Sequence, residues 1–477
     1  MTAARIMLLA TLLACGCAAV DPLSRAPGSS ALAWKEPAKE AAADGGVPEP
    51  PTLGAPELDR TYDLIGLVDL AQRSNPETRI AWEEARAAAA RLGLAEGAYY
   101  PALVVLAAGG YTRTEARSPE GPVYTRGWAV TPQLFLTWTL LDFGRRSADS
   151  DAALQALLGA NFQFNRRHQQ VTYAVERAFY AYDAARAQVE ASLVTLKSAV
   201  SVQKDAEVRL AHGLATRTDL LLAREVRARA EYDVQLARRR VDDAWSTLAE
   251  ALGISPAAQL MVVELAGLPL PDVLGGSVEQ AMDRALVERP DVAALVAQLR
   301  SREAEVRRAS ADFWPTFGLG GSLGLTTGSF LADSRVGQTG PFAYTEPIYG
   351  GLLTFSWKLF DGFERKNRER EAEALRGQAR ASLDALQIRA LREVWKAYAD
   401  VKAARLQYDY AAALLASAQE AYDSASTTYR AGLGTILDLL AAERELARGR
   451  STVIESRAEL LSASAALAFA IGAGGGR

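Results

Sequence analysis

Hydrophobic positions along the 477-residue chain recur with three different periods, and the periods follow one another in the same order twice. Residues 65–98 and 277–312 are Ala-rich, charged stretches that predict helix. They end at Tyr100-Pro101 and Trp314-Pro315, where proline stops a helix. Alternation with period 2 follows. In copy two a mostly apolar set, Phe317, Leu319, Gly321, Leu323 and Leu325, alternates with Gly318, Gly320, Ser322, Gly324 and Thr326, and Leu353, Phe355, Trp357 and Leu359 alternate with Thr354, Ser356 and Lys358. In copy one Leu134, Leu136, Trp138 and Leu140 alternate less cleanly with Phe135, Thr137, Thr139 and Leu141. Segments of about ten residues with one apolar face and one small or polar face suit transmembrane β-strands. Then come residues 143–211 and 362–430, helical in pattern and free of Pro. As uninterrupted helices each reaches about 100 Å. Gly213 and Gly432 break them, and a second long helix returns to about residues 252 and 471.

The returning helices keep a strict seven-residue period. Leu439, Leu446, Val453, Leu460 and Leu467 form one seam, and Ala442, Gly449, Ser456, Ala463 and Ala470 form a second. Copy one has Leu220, Val234, Val241 and Leu248 beside Ala223, Ala230, Ala237, Ala244 and Ala251, with Arg227 interrupting. A maintained heptad imposes a left-handed supercoil, and two seams fit a helix with neighbours on both sides.

The two copies keep register. Asn75-Pro76 matches Arg289-Pro290, and Pro101 matches Pro315, both 214 positions on. Trp138-x3-Asp142 matches Trp357-x3-Asp361, and Leu252-Gly253 matches Ile471-Gly472, now 219 positions on. At the same offset Gly213-Leu214-x-Thr216-x2-Asp219-Leu220-Leu221 matches Gly432-Leu433-x-Thr435-x2-Asp438-Leu439-Leu440. One insertion between Pro315 and Trp357 accounts for the change, so the chain is a tandem duplication of about 200 residues.

Composition then narrows the function. With 53 basic and 57 acidic side chains, net charge −4, there is no basic footprint for nucleic acid. Two histidines (His168, His212) and two cysteines (Cys15, Cys17) give no metal site, no cofactor and no Cys/His catalytic pair. Acidic neighbours such as Glu83-Glu84 and Asp242-Asp243 diverge on a helix, and the charge run from Glu364 to Glu373 reads as solvated surface. The histidines sit on helical arms with no partner cluster, so no enzyme is predicted. At the N-terminus Arg5, the apolar run Ile6–Leu13 and Leu12-Leu13-Ala14-Cys15 form a signal peptide ending in a lipobox. Cys15 or, alternatively, Cys17 would carry the lipid. An ordinary secretory leader is the simpler alternative. Residues 21–60 are rich in Pro, Ala, Gly and Ser and read as an extended arm without a core.

In this order, and twice, these motifs resemble the TolC-like outer membrane efflux protein family, over residues 60–473. The resemblance implies a mixed α+β membrane protein. Three copies would each give four strands to a 12-stranded outer-membrane β-barrel, continued by a long periplasmic α-helical barrel of coiled-coil helices. It implies a homotrimer docked on a periplasmic adaptor and an inner-membrane pump of the RND or ABC type, acting as the exit duct of tripartite efflux or type I secretion. Domain boundaries are expected at 1–14 (signal peptide), 15–60 (lipidated linker), 61–256 (first repeat, hairpin 101–141), 257–276 (inter-repeat linker), 277–473 (second repeat, hairpin 315–360) and 474–477 (tail).

By the same resemblance Asp219 and Asp438 line a periplasmic gate, and Tyr429 helps hold it shut. The turns at Gly213, Thr216, Gly432 and Thr435 form its edge, and Pro101 and Pro315 mark the helix–strand junctions. A carboxylate repeated by threefold symmetry would form a cation-binding ring. The residues themselves leave helix N-capping open as the role of Asp219 and Asp438. The chain departs from the family at Gly434, where an arginine is expected, and at Ala441, where a second aspartate is expected. A lipid-anchored periplasmic adaptor with coiled-coil arms is the alternative reading, which needs one helical hairpin and no lipid-facing strands.

Overall fold

The computed structural model describes residues 21–35, 60–119, 121–265, 276–334 and 337–473. The signal peptide, Cys15 and Cys17 lie outside them. In chain order the elements are β1 (Thr61–Tyr62), α1 (Leu64–Ser74), α2 (Pro76–Gly97), β2 (Ala102–Ser118), β3 (Gly121–Leu141), α3 (Arg145–Ala211) and α4 (Arg217–Leu252). The second copy gives β4 (Met261–Val262), α5 (Val278–Glu288), α6 (Pro290–Ala311), β5 (Thr316–Ser334), β6 (Gly337–Ser356), α7 (Glu364–Arg430) and α8 (Ile436–Ile471). Both α3 and α7 are 67 residues long, about 100 Å at 1.5 Å per residue. Among the described residues no helix is long and apolar enough to cross a membrane.

Each opening stretch, expected as one helix, is two. Asn75 (ψ 124°) and Arg289 (ψ 122°) are extended. Proline bars its predecessor from helical geometry, while its own missing N–H suits the first position of the next helix. The expected linker 257–276 also carries structure, because β4 pairs in parallel with β1. Two-residue strands are too short to leave a period-2 signal.

Residues 88–157 and 297–381 form one compact unit and the remainder a second, each drawn from both repeats. The first unit is built on an antiparallel sheet of order β2-β3-β5-β6. Its register sorts the side chains into two faces. Leu103, Leu136, Gly321 and Gly351 share one rung, and Val105, Leu134, Leu323 and Tyr349 share another on the same face. The opposite face carries Thr137 beside Gly320, Phe135 beside Ser322, and Gln133 beside Gly324.

Two details correct the alternation. The ladder shifts between Thr139 and Leu141, so Leu141, not Leu140, is level with Phe317. This bulge takes Leu141 out of the alternation expected for copy one, while Phe135, opposite Ser322, lies in unbroken register. Strand β6 stops at Ser356, leaving Trp357 and Leu359 beyond it. Ser356 pairs with Thr316, which follows Pro315, and proline has no N–H for a further rung.

In the second unit each repeat closes on itself. Asn75 Nδ2 donates to the Ala251 carbonyl (2.9 Å), and Ser74 Oγ donates to that of Leu252 (2.6 Å). Gly253, left-handed at φ 72°, sits so close that a Cβ would lie 2.6 Å from Asn75 Cα. In the second repeat a Cβ on Gly472 would lie 3.1 Å from Arg289 Cα. The Asn-Pro/Arg-Pro pairs and the terminal glycines are thus contact partners. Arg289, 2% exposed, is held by Asp291 (2.7 Å), Glu393 (2.8 Å) and the Ala470 carbonyl (3.3 Å). Along α8 the small-residue seam brings helices together: a Cβ on Gly449 would meet Leu415 Cα of α7 at 3.3 Å.

The arm is not coreless. Trp34 is buried against Trp82 and Phe164 and exchanges two hydrogen bonds with Asn165 (2.7 and 2.8 Å). His168, on a helical arm with no partner cluster as expected for it, is 1% exposed and bonds the Ser30 carbonyl through Nε2 at 2.9 Å. Burial pushes its pKa down to about 4, more than that hydrogen bond raises it.

Candidate functional site

The two glycine turns close alike. Gly213 (φ 70°) and Gly432 (φ 77°) take the left-handed conformation, and the next amides, Leu214 and Leu433, reach back to the carbonyls of Arg209 (2.8 Å) and Thr428 (3.0 Å). Six-to-one bonds of this kind end a helix on glycine at little steric cost. Restart is by a capping box. Thr216 Oγ1 accepts from Asp219 N (3.2 Å), while Asp219 Oδ2 accepts from Thr216 N (2.7 Å). Thr435 and Asp438 repeat this at 3.2 and 3.3 Å, and the Thr435 hydroxyl also donates to Asp438 Oδ2 at 2.6 Å.

This corrects one alternative for the aspartates. The N-caps are the threonines, and Asp219 and Asp438 answer from the third helical position. Asp438 remains exposed, and the Thr435 hydroxyl holds its carboxyl below the usual carboxylate range, so it is anionic at neutral pH. Structural capping and an anionic surface coexist in one group.

Tyr429 is 6% exposed and packs with Leu220, Ala223, Ile436 and Leu439, joining the two turns. Burial raises the pKa of its phenol; Arg209 opposes this, and Asp219 and Asp205 add to it. The Arg209 guanidinium lies 4.5 Å from the ring centroid and donates to the Arg430 carbonyl at 2.8 Å. Sequence reasoning passed over Arg209 and looked for an arginine at 434. At Gly434 a Cβ would meet Thr428 Cγ2 at 3.2 Å, so that position is tightly packed.

A second duplicated constellation surrounds Pro101 and Pro315. Trp138 Nε1 donates to the Tyr99 carbonyl (2.8 Å), as Trp357 Nε1 does to that of Phe313 (3.1 Å). Arg146 pairs with Asp142 at 2.8 Å and lies over the Tyr99 ring, and Arg365 pairs with Asp361 at 2.6 Å and lies over Phe313. Arg365 is 8% exposed, which takes it out of the solvated run expected at Glu364–Glu373. Its Asp-x3-Arg spacing recurs at Asp142 and Arg146, a signal present in both copies. The turns hold two left-handed residues each, Phe143-Gly144 and Gly362-Phe363.

Comparison with known proteins agrees with this architecture. Protein CyaE of Bordetella pertussis is 29% identical over 421 residues, 87% of this chain and 86% of the relative. Outer membrane protein OprJ of Pseudomonas aeruginosa is 29% identical over 392 residues, 80% of this chain and 78% of the relative. The structure of the outer-membrane channel OprN matches with TM-score 0.74 at 22% identity, covering 87% of this chain and 90% of that one, which shows a shared fold. The family described as "Outer membrane efflux protein" matches residues 67–254 and 281–473, one match per repeat. The chain therefore belongs to the outer membrane efflux protein family and acts as an exit duct in the outer membrane.

Proposed function

We propose that three copies complete this duct, each giving four strands to a 12-stranded barrel and its long helices to a periplasmic α-barrel. The observation that carries this is the four-stranded sheet. One face carries Leu103, Val105, Leu134, Leu136, Leu323 and Tyr349, the other mixes Thr137, Gly320, Ser322 and Gly324 with Leu106, Phe135 and Leu352, and among the described residues β2 and β6 each have a strand neighbour on one side only. Four strands are too few to close a barrel, whereas copies joined edge to edge satisfy both edges. In this reading the apolar face meets lipid, the Gly- and Thr-rich face lines the lumen, and a lipid on Cys15, with Cys17 as alternative, adds an anchor. The chain is a passive conduit without catalysis, and a periplasmic adaptor and an inner-membrane pump supply cargo and energy.

The glycine turns form the periplasmic gate. Asp438, anionic and exposed, contributes a carboxylate ring that binds cations, and Asp219 stands beside the buried Tyr429. Arg209 takes the latch role that the family gives to an arginine at position 434, tying one repeat's turn to the other.

Planar-bilayer recording tests the gate, with native mass spectrometry reporting the oligomer. Wild type runs as a trimer with small conductance and block by divalent cations; Asp438→Ala raises conductance and relieves block. Unchanged conductance and block remove Asp438 from the constriction, and a stable monomer removes the shared barrel.

A further inference from the structure

The two β-hairpins are copies in register as well as in sequence. Thr137 faces Ala102 and Leu134 faces Val105 in the first; Ser356 faces Thr316 and Leu353 faces Leu319 in the second. Adding 219 positions on β3 and 214 on β2 converts each of these pairs into its counterpart, the same offsets that relate Trp138 to Trp357 and Pro101 to Pro315. Strand β6 is therefore the copy of β3, and β2 is the copy of β5. In the middle of the sheet β3 and β5 pair directly, so the outer strands β6 and β2 are copies of two strands that already fit one another.

The ends of the strands carry the same information. Both hairpins make their last internal rung at the same place, Thr137 with Ala102 and Ser356 with Thr316. Strand β3 nevertheless runs on to Leu141, because β5 pairs with Trp138, Thr139 and Leu141. Strand β6 stops at Ser356, and Trp357, Leu359 and Phe360 beyond it are exposed. Leu353 is 78% exposed, whereas its copy Leu134, with a strand on either side, is 37% exposed. The backbone and apolar area on this edge match what β3 offers to β5.

We propose that β6 pairs antiparallel with β2 of a second copy of the chain, in the register that β3 takes with β5. Carried over by the two offsets, Leu136 with Gly321 becomes Phe355 with Ala107 of the next copy, and Leu134 with Leu323 becomes Leu353 with its Gly109. Trp138 with Leu319 becomes Trp357 with its Val105. The proposal rests on the reading of the sheet as one third of a shared barrel and adds which residues meet at the seam. Side-chain alternation agrees with it. Phe355 and Ala107 both lie on the face of Leu103 and Leu136, so this register continues that face across the seam, whereas a slip of one residue would join opposite faces.

Disulfide trapping tests the register. At the internal seam a Cβ on Gly321 would lie 3.6 Å from Leu136 Cβ, within the span that a disulfide requires. Within one chain, Ala107 and Phe355 stand on opposite edges of the sheet, at least about 14 Å apart, so a bond between them reports a second copy. Phe355→Cys/Ala107→Cys and Leu353→Cys/Gly109→Cys are in register. Phe355→Cys/Gly109→Cys and Leu353→Cys/Ala107→Cys recombine the same four substitutions two residues out, with Cα atoms about 7–8 Å apart. After mild oxidation of membranes, non-reducing gels should show covalent dimers and trimers at least about tenfold more abundant for the first two, with single variants as blanks for Cys15 and Cys17. Stronger linking in the recombined pairs, or equal linking in all four, overturns the proposal. Native mass spectrometry of the same samples separates it from the reading beneath it. Trimers without the expected links reject the register alone, whereas unlinked monomers reject the shared barrel as well.

Discussion

Glu443 is a buried carboxyl in the helical body whose removal should strengthen the protein. It is 4% exposed, and neither side-chain oxygen has a hydrogen-bond partner. The Ser198 hydroxyl on α3 is engaged 2.8 Å away with the Tyr422 hydroxyl of α7. The Ser198 hydroxyl and the Arg450 guanidinium of α8 are the groups that favour the ionised form, and burial outweighs both, raising the carboxyl's pKa. A proton is therefore held more tightly in the folded helices than in the unfolded chain. The stability that proton provides is complete below about pH 4.5 and is lost as pH rises through the folded value. An unsatisfied buried polar group costs about 1–3 kcal/mol, more if charged. Glu443→Leu should accordingly slow amide hydrogen exchange around residues 439–446 by about 5- to 150-fold at pH 7.5, a gain that narrows toward pH 4.5. Glu443→Gln should flatten the pH dependence and recover part of the gain. Faster exchange in Glu443→Leu at pH 7.5, or an unchanged pH profile in Glu443→Gln, would show that the carboxyl has a partner and refute the reasoning.

Two further outcomes follow from the same packing. Gly253→Ala sets a Cβ 2.6 Å from Asn75 Cα at a φ of 72°, whereas Gly213→Ala at φ 70° meets nothing within 4 Å. Thermal unfolding should show a loss of about 2–5 kcal/mol for the first and about 1 kcal/mol for the second, and equal losses would dismiss the steric account. For His168, whose pKa falls from 6.5 to about 4, docking of the arm should be strongest above pH 6.5 and weaken progressively toward pH 4, by up to about 3 kcal/mol. Hydrogen exchange across residues 21–35 reads this directly; a response unchanged by His168→Gln would assign the pH effect elsewhere.

Features tied to local spacing were readable in advance. Gly213, Thr216 and Asp219 recur intact at Gly432, Thr435 and Asp438, so the turns and the long helices on either side could be located from their offsets. The break at Asn75 was equally available, since Pro76 marks it, yet the surrounding helical pattern hid it. Side chains joined through space were out of reach: Arg289 meets Glu393 and the Ala470 carbonyl across intervals that leave no period. The bulge at Leu140 was invisible because adjacent leucines preserve apolarity on either register. Glu443 did leave a trace, standing four residues after Leu439 and three before Leu446, on the buried side of the seam. Tyr429 was singled out by resemblance, while Arg209, its neighbour in space, matched no motif.

The contact of Asn75 with Gly253, and of Arg289 with Gly472, has a consequence for how such a chain could arise. In each repeat the first and last helical segments meet, so a unit's entry and exit lie side by side. A gene segment encoding such a unit can be copied in tandem and joined by a short connector without reorganising either copy. Adjacent ends are also what circular permutation requires. Joining the Leu252 end to the Leu64 end and opening the chain elsewhere should disturb each repeat less than cutting either helical hairpin.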